Sequence, residues 1–156
     1  MWLGELDPFM HVIVLVLMLV MGIQDLRTRR VSNWITIPFF FAGLIANTLR
    51  AYDDVWLFQF ILFCQAIVFF AGYYGWMGGA DMKVFVGLLG LFPLAGMTAL
   101  SVSGVWGMVV WIWTGRKNAT FPAVTVSAFS TGLILITAIT MKSAFFTGRI
   151  LHFVCG

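Results

Sequence analysis

Asp25 and Asp81 are the two residues of this chain best placed to do chemistry. The sequence has six Asp and Glu; Glu5, Asp7, Asp53 and Asp54 group on one side of the apolar runs, whereas Asp25 closes the first run and Asp81 opens the fourth, both on the other side. An ionisable group at membrane depth is costly to hold and marks function by default. Taken singly, each has an ordinary alternative: Asp81 as a helix N-cap after a glycine-rich turn, Asp25 as a surface carboxylate among arginines. Taken together, two carboxylates on different helices at one membrane face can converge and share a single proton, the apparatus of an aspartic protease. A proton-coupled transporter would use the same residue types, so the residues alone leave protease and transporter level. Neither mechanism calls for a metal or a cofactor, and none is expected. His11 and His152 stand at opposite ends of the sequence, and Cys64 and Cys155 form neither a zinc motif nor a disulfide framework.

The elements that must position the pair are read from composition and from interruptions in the hydrophobic pattern. With 156 residues, 62% hydrophobic and 10% charged, and a mean hydropathy of +1.01, the chain suits a bilayer and not water. Its 16 Phe and 7 Trp exceed what so small a soluble core could hide, which excludes disorder and a large soluble catalytic domain. Apolar runs extend from Phe9 to Gln24, from Trp34 to Leu49, from Val55 to Tyr74, and onward from Val84. From Val84 to Thr114 no residue is ionisable. A single helix over that stretch would be roughly 46 Å long at about 1.5 Å per residue, against a hydrocarbon core of roughly 30 Å. Pro93 and Gly96 are therefore expected to divide it into a short helix and a longer one, joined near Phe92 to Met97. A further run extends from Phe121 to Met141, and the tail to Gly156 reads as interfacial. The expected fold is all-α: a polytopic membrane helix bundle of about six transmembrane helices, forming one domain over residues 1–156, with the N-terminus outside. Glu5 and Asp7, and the lack of a small-residue cleavage site before Gln24, make the first run a retained helix and not a cleavable signal.

Charge sets the orientation. Of nine Lys and Arg, the inward breaks hold Arg27, Arg29, Arg30, Lys83, Arg116 and Lys117, which satisfies the positive-inside rule. The net charge of +3 thus reports topology and not a nucleic-acid surface. Trp34, Trp56, Trp76 and Trp113 fall at span ends, where indole rings settle at headgroup level, with Trp106 an internal exception. Gly87, Gly90, Gly104 and Gly107, at small-residue spacing, read as helix-packing faces. Asn118-Ala-Thr120 matches a glycosylation sequon on the inward side and is discounted.

Two stretches resemble the signature regions of type IV prepilin peptidases, in their short peptidase-only form. The first is Asp25-Leu-Arg-Thr-Arg-Arg-Val-Ser-Asn33, followed by a hydrophobic helix; the second is Gly78-Gly-Ala-Asp-Met-Lys83. The family's first aspartate precedes a basic stretch and an Asn, and its second lies in a Gly-x-Gly-Asp pattern followed by Lys. Ala80 departs from that pattern by one methyl group, and Phe121-Pro122-Ala123 is a weaker echo. The resemblance implies a membrane aspartyl endopeptidase with Asp25 and Asp81 catalytic. It would cleave the basic leader of a prepilin or pilin-like protein at the cytoplasmic face of a prokaryotic inner membrane, after a Gly that precedes a hydrophobic segment. It also implies a substrate surface on Gly78, Gly79, Ala80, Lys83 and Asn33. Lys83 has a second use as a headgroup anchor, and Asn33, or Ser32 in its place, as a cap of the second helix. Gln24 stands where eukaryotic-type Gly-x-Gly-Asp proteases have Tyr, so the chain resembles those less. A cysteine-rich segment of the kind found in bifunctional peptidase-methyltransferases is missing after Asp25, so peptidase activity alone is expected. A proton-coupled transporter and a non-enzymatic subunit of a pilus or secretion machine remain the alternatives. Within the pair, helix polarity favours an ionised Asp81 at the positive end of one helix and a protonated Asp25 at the negative end of another.

Overall fold

A computed structural model of the chain describes residues 8–28, 30–115, 124–133 and 136. All regular structure among these residues is helical: α1 (Pro8–Thr28), α2 (Asn33–Arg50), α3 (Val55–Tyr73), α4 (Gly79–Leu91), α5 (Pro93–Thr114) and α6 (Val124–Leu133). The segments His11–Thr28, Val55–Tyr73 and Pro93–Val110 are long and apolar enough to cross a membrane. The protein is a polytopic α-helical membrane protein. Trp34, Trp56, Trp76 and Trp113 are all highly exposed and sit at helix ends, where a headgroup layer would receive them. Arg29, Arg116, Lys117, the sequon, Phe121-Pro122-Ala123 and the tail lie outside the described residues.

The long apolar stretch divides where expected. α4 stops at Leu91, Phe92 takes an extended backbone, and Pro93 opens α5. Proline is favoured at a first helical position, because its fixed φ suits the helix and its missing N–H leaves nothing there to satisfy. The same missing N–H strips the end of α4 of a donor. Arg50, in the last turn of α2, supplies the replacement: its guanidinium donates to the carbonyl oxygens of Gly90 and, at 2.8 Å, of Leu91. A cation on those last carbonyls also suits the negative end of the helix.

At about 20 Å, α4 is too short to cross the hydrocarbon core, and it is apolar all round. A helix of that kind must be enclosed by others. Every residue from Val84 to Leu91 is buried. α2 runs alongside it in the same direction, with Phe39 and Gly43 against Gly87 and Gly90. A Cβ on Gly43, Gly87 or Gly90 would collide with backbone atoms across this crossing, so only glycine permits the approach. Among the described residues, nothing stands within 4 Å of where a Cβ on Gly104 would lie. α3 runs the opposite way, with Gly72 against Met82 and the Gln65 amide Nε2 donating at 3.0 Å to the Val86 carbonyl oxygen. The Gln65 Oε1 in turn accepts from Asn47 Nδ2 of α2 at 3.1 Å, so a buried amide pair links three helices where water is excluded. α5 doubles back along α4 with Gly96 against Leu89. α1 brings His11 against Phe92 at its start, and its later turns meet α6 through Gly22 and Ala128. These contacts put the end of α1, the start of α2, the start of α4 and the start of α6 at one end of the bundle.

Candidate active site

Asp25 sits in the last turn of α1 and is buried. Its Oδ2 accepts two hydrogen bonds from one residue of α6, the Thr125 backbone N–H and the Thr125 hydroxyl, each at 3.3 Å. The same hydroxyl lies 3.0 Å from the Gly22 carbonyl oxygen, one turn before Asp25. α1 and α6 approach closely enough to allow this because Gly22 has no side chain: a Cβ there would stand 3.0 Å from that of Ala128. The link to α2 is also held. The Ser32 N–H donates to Gln24 Oε1 at 3.2 Å, and Ser32 caps α2 by accepting from the Trp34 N–H at 3.3 Å. Ser32 and not Asn33 is therefore the cap. Asn33, freed of that task, accepts a hydrogen bond from Lys83 Nζ of α4 at 2.8 Å.

Asp81 lies in the first turn of α4, outside the three long apolar segments. Gly78 is the N-cap and has no side chain to cap with. Asp81, three residues on, reaches back and accepts from the Gly78 backbone N–H, as the acidic member of a capping box does. A Cβ on Gly78 would stand 2.8 Å from Asp81 Oδ2. Glycine at 78 thus leaves the carboxyl its place; the left-handed backbone in this turn belongs to Gly75 instead, with φ +74°. Gly79 and Ala80 complete the turn, and a Cβ on Gly79 would meet nothing within 4 Å. Gly78→Ala is accordingly expected to keep its membrane insertion and melting temperature but to lose cleavage on the order of 10- to 100-fold, since the carboxyl must move aside. Gly79→Ala should keep kcat. Wild-type cleavage by Gly78→Ala in purified form would show that the position of Asp81 does not matter.

Burial lifts the Asp81 carboxyl to about 6; the negative charge of Asp25 pushes the same way, and the Gly78 N–H opposes both. The upward direction at Asp81 runs against the pull that helix polarity alone would exert there. A helix end contributes only about 0.3–1 kcal/mol where exposed, less than desolvation together with a like charge. Asp25 holds two donors on one oxygen, whereas Asp81 has burial and a neighbouring carboxylate acting against its charge. Among the described residues, no group of three or more His, Cys, Asp or Glu is placed to hold a metal ion.

The two signature stretches thus meet at one end of the bundle, with Asn33 and Lys83 in direct contact and the charge of Asp25 acting on Asp81. A model of the type IV leader peptidase family matches residues 12–136 of the chain. The chain belongs to the type IV leader peptidase family. No curated protein and no solved structure matches it. The leader peptidase match takes in both aspartates, Asn33, the Gly78 to Lys83 turn and Thr125. As a member of this family the protein is a peptidase, and its apolar helices make it a membrane-embedded one. Thr125 gave no signal in the sequence: it lies 100 positions from the carboxyl it contacts, in a run that also holds Thr131, Thr137 and Thr140, with nothing to single it out.

Proposed function

We propose that this leader peptidase is a membrane aspartyl endopeptidase that removes the basic leader of prepilin-like proteins, with Asp25 and Asp81 as the catalytic pair. The observation that supports the reading is the pair of carboxylates on separate helices at one end of the bundle, Asp25 buried against two hydrogen-bond donors and Asp81 raised by burial and by the charge of Asp25. Ionised Asp25 takes a proton from water as the oxygen attacks the scissile carbonyl, and protonated Asp81 donates to the carbonyl oxygen. The neutral diol that results collapses as Asp25 returns its proton to the leaving amine and Asp81 recovers its own. No covalent intermediate with the enzyme forms.

The exposed start of α4 at Gly78 and Gly79, with Ala80, supplies a low surface on which an extended substrate strand can lie. The Lys83 ammonium, anchored on Asn33, offers a cation to an acidic residue of the substrate. Arg27, Arg30 and Lys83 all belong to this end of the bundle, and the positive-inside rule then turns the site toward the cytoplasm of a prokaryotic inner membrane. Co-expression with a prepilin whose leader ends in Gly before a hydrophobic helix, read by mass spectrometry, should show loss of the leader mass. Intact prepilin together with proton-linked flux in vesicles would replace the peptidase by a transporter.

A further inference from the structure

We propose that Thr125 is a positioning residue that keeps Asp25 hydrogen-bonded through both of its protonation states. A hydroxyl carries one proton and can also accept. Two acceptors lie within reach of the Thr125 Oγ1, the Gly22 carbonyl oxygen at 3.0 Å and Asp25 Oδ2 at 3.3 Å, and a single proton serves one of them fully at a time. With Asp25 ionised, the hydroxyl proton turns to Oδ2 and joins the Thr125 N–H there, so the carboxylate holds two donors. Once Asp25 has taken a proton from water, the hydroxyl proton turns to the Gly22 carbonyl, and the freed lone pair of Oγ1 accepts from the new carboxyl O–H. Only the two O–H torsions turn, no heavy atom moves, and no proton leaves the pair by this route.

The arrangement matters because Asp25 is buried, and a buried polar group without a partner is destabilised in either state. Among the described residues, the charged groups set beside this carboxyl are Asp81 of α4, whose charge couples to it, and Arg27, which is two residues on along α1 and exposed. Arg27 can only donate and cannot reverse its sense. The Thr125 hydroxyl can, and it comes from α6, so that helix contributes to the chemistry without a titratable group among its described residues.

The kinetic part of this inference rests on the peptidase reading, and the spectroscopic part does not. Thr125→Val keeps the shape and the backbone N–H but removes the hydroxyl; Thr125→Ser keeps the hydroxyl. With a prepilin substrate, Thr125→Val should lower kcat roughly 10- to 100-fold at nearly constant KM, and Thr125→Ser should restore most of it. In infrared spectra recorded in alkaline buffer, the carboxylate stretch that disappears in Asp25→Asn should shift in Thr125→Val and stay in place in Thr125→Ser. If Thr125→Val does not fold, Thr125→Cys, with a weaker donor, should give a smaller shift in the same direction. A carboxylate band unmoved by loss of the hydroxyl would overturn the proposal, as would a fall in activity that simply tracks a lowered melting temperature and is not rescued by Ser. Should the wild-type protein cleave nothing, the peptidase reading fails, and the infrared comparison still decides whether Thr125 serves Asp25.

Discussion

Asp25→Asn and Asp81→Asn should each abolish leader removal while leaving membrane insertion and yield unchanged. An amide can neither take the proton of the attacking water nor share one with its partner. A general acid or base contributes about 10²- to 10⁴-fold in rate. Groups that act as a unit lose nearly the whole effect when either is removed, so neither single variant should retain partial activity. The substitutions are also gentle to the fold. An amide at 25 still offers an oxygen to Thr125, and one at 81 still offers an oxygen to the Gly78 N–H. The outer acids provide the contrast. Asp53→Asn should be silent, and Asp54→Asn nearly so, because the Asp54 Oδ1 caps α3 by accepting from the Leu57 N–H at 3.0 Å and an amide oxygen can do the same. Substantial cleavage by either catalytic variant, measured as leader loss by mass, would remove that residue from the mechanism.

The second large effect is on the fold and arises where α2 crosses α4. Gly43→Ala and Gly90→Ala should each destabilise the bundle strongly, at or beyond the upper end of the roughly 1–3 kcal/mol that overpacking usually costs. Ordinarily a neighbouring side chain turns away from an added methyl. Here the neighbours of both positions are backbone atoms, those of Gly87 for a methyl at 43 and those of Gly43 for a methyl at 90, and a helix backbone cannot turn away. The helices must part instead. Separation would also pull Asn33 from Lys83 and Arg50 from the end of α4, so activity should fall together with stability. Gly104→Ala, with nothing among the described residues within 4 Å of its methyl, should match the wild type or exceed it slightly through better helix propensity. The measurement is the melting temperature in detergent across the three variants. Equal melting for all of them would mean that α2 and α4 do not approach at Gly43 and Gly90.

Most helix ends among the described residues were legible in the sequence because their causes are local, although α1 runs past Asp25 to Thr28 and α4 begins at Gly79, ahead of Asp81 and Lys83. Ionisable residues end apolar runs, Ser32 and Asp54 satisfy N–H groups within three positions of themselves, and Pro93 cannot continue α4 whatever surrounds it. The two aspartates and their flanking motif residues were legible for a related reason, since a carboxyl at the edge of an apolar run stands out by its cost. The partners of those residues were not legible. From Val84 on, α4 is apolar on every side, so its pattern shows no preferred face, and nothing in it distinguishes Gly87 and Gly90, which meet α2, from Gly104 on α5, which meets nothing among the described residues. Lys83 with Asn33, Arg50 with the carbonyls of Gly90 and Leu91, and Thr125 with Asp25 are contacts across 50, 41 and 100 positions at their widest. The tertiary structure also added terms at Asp81 that the sequence could not supply. Helix polarity follows from chain direction alone and can be read without a structure, but burial and the approach of a second carboxylate depend on how the helices pack, and at Asp81 they outweigh the dipole.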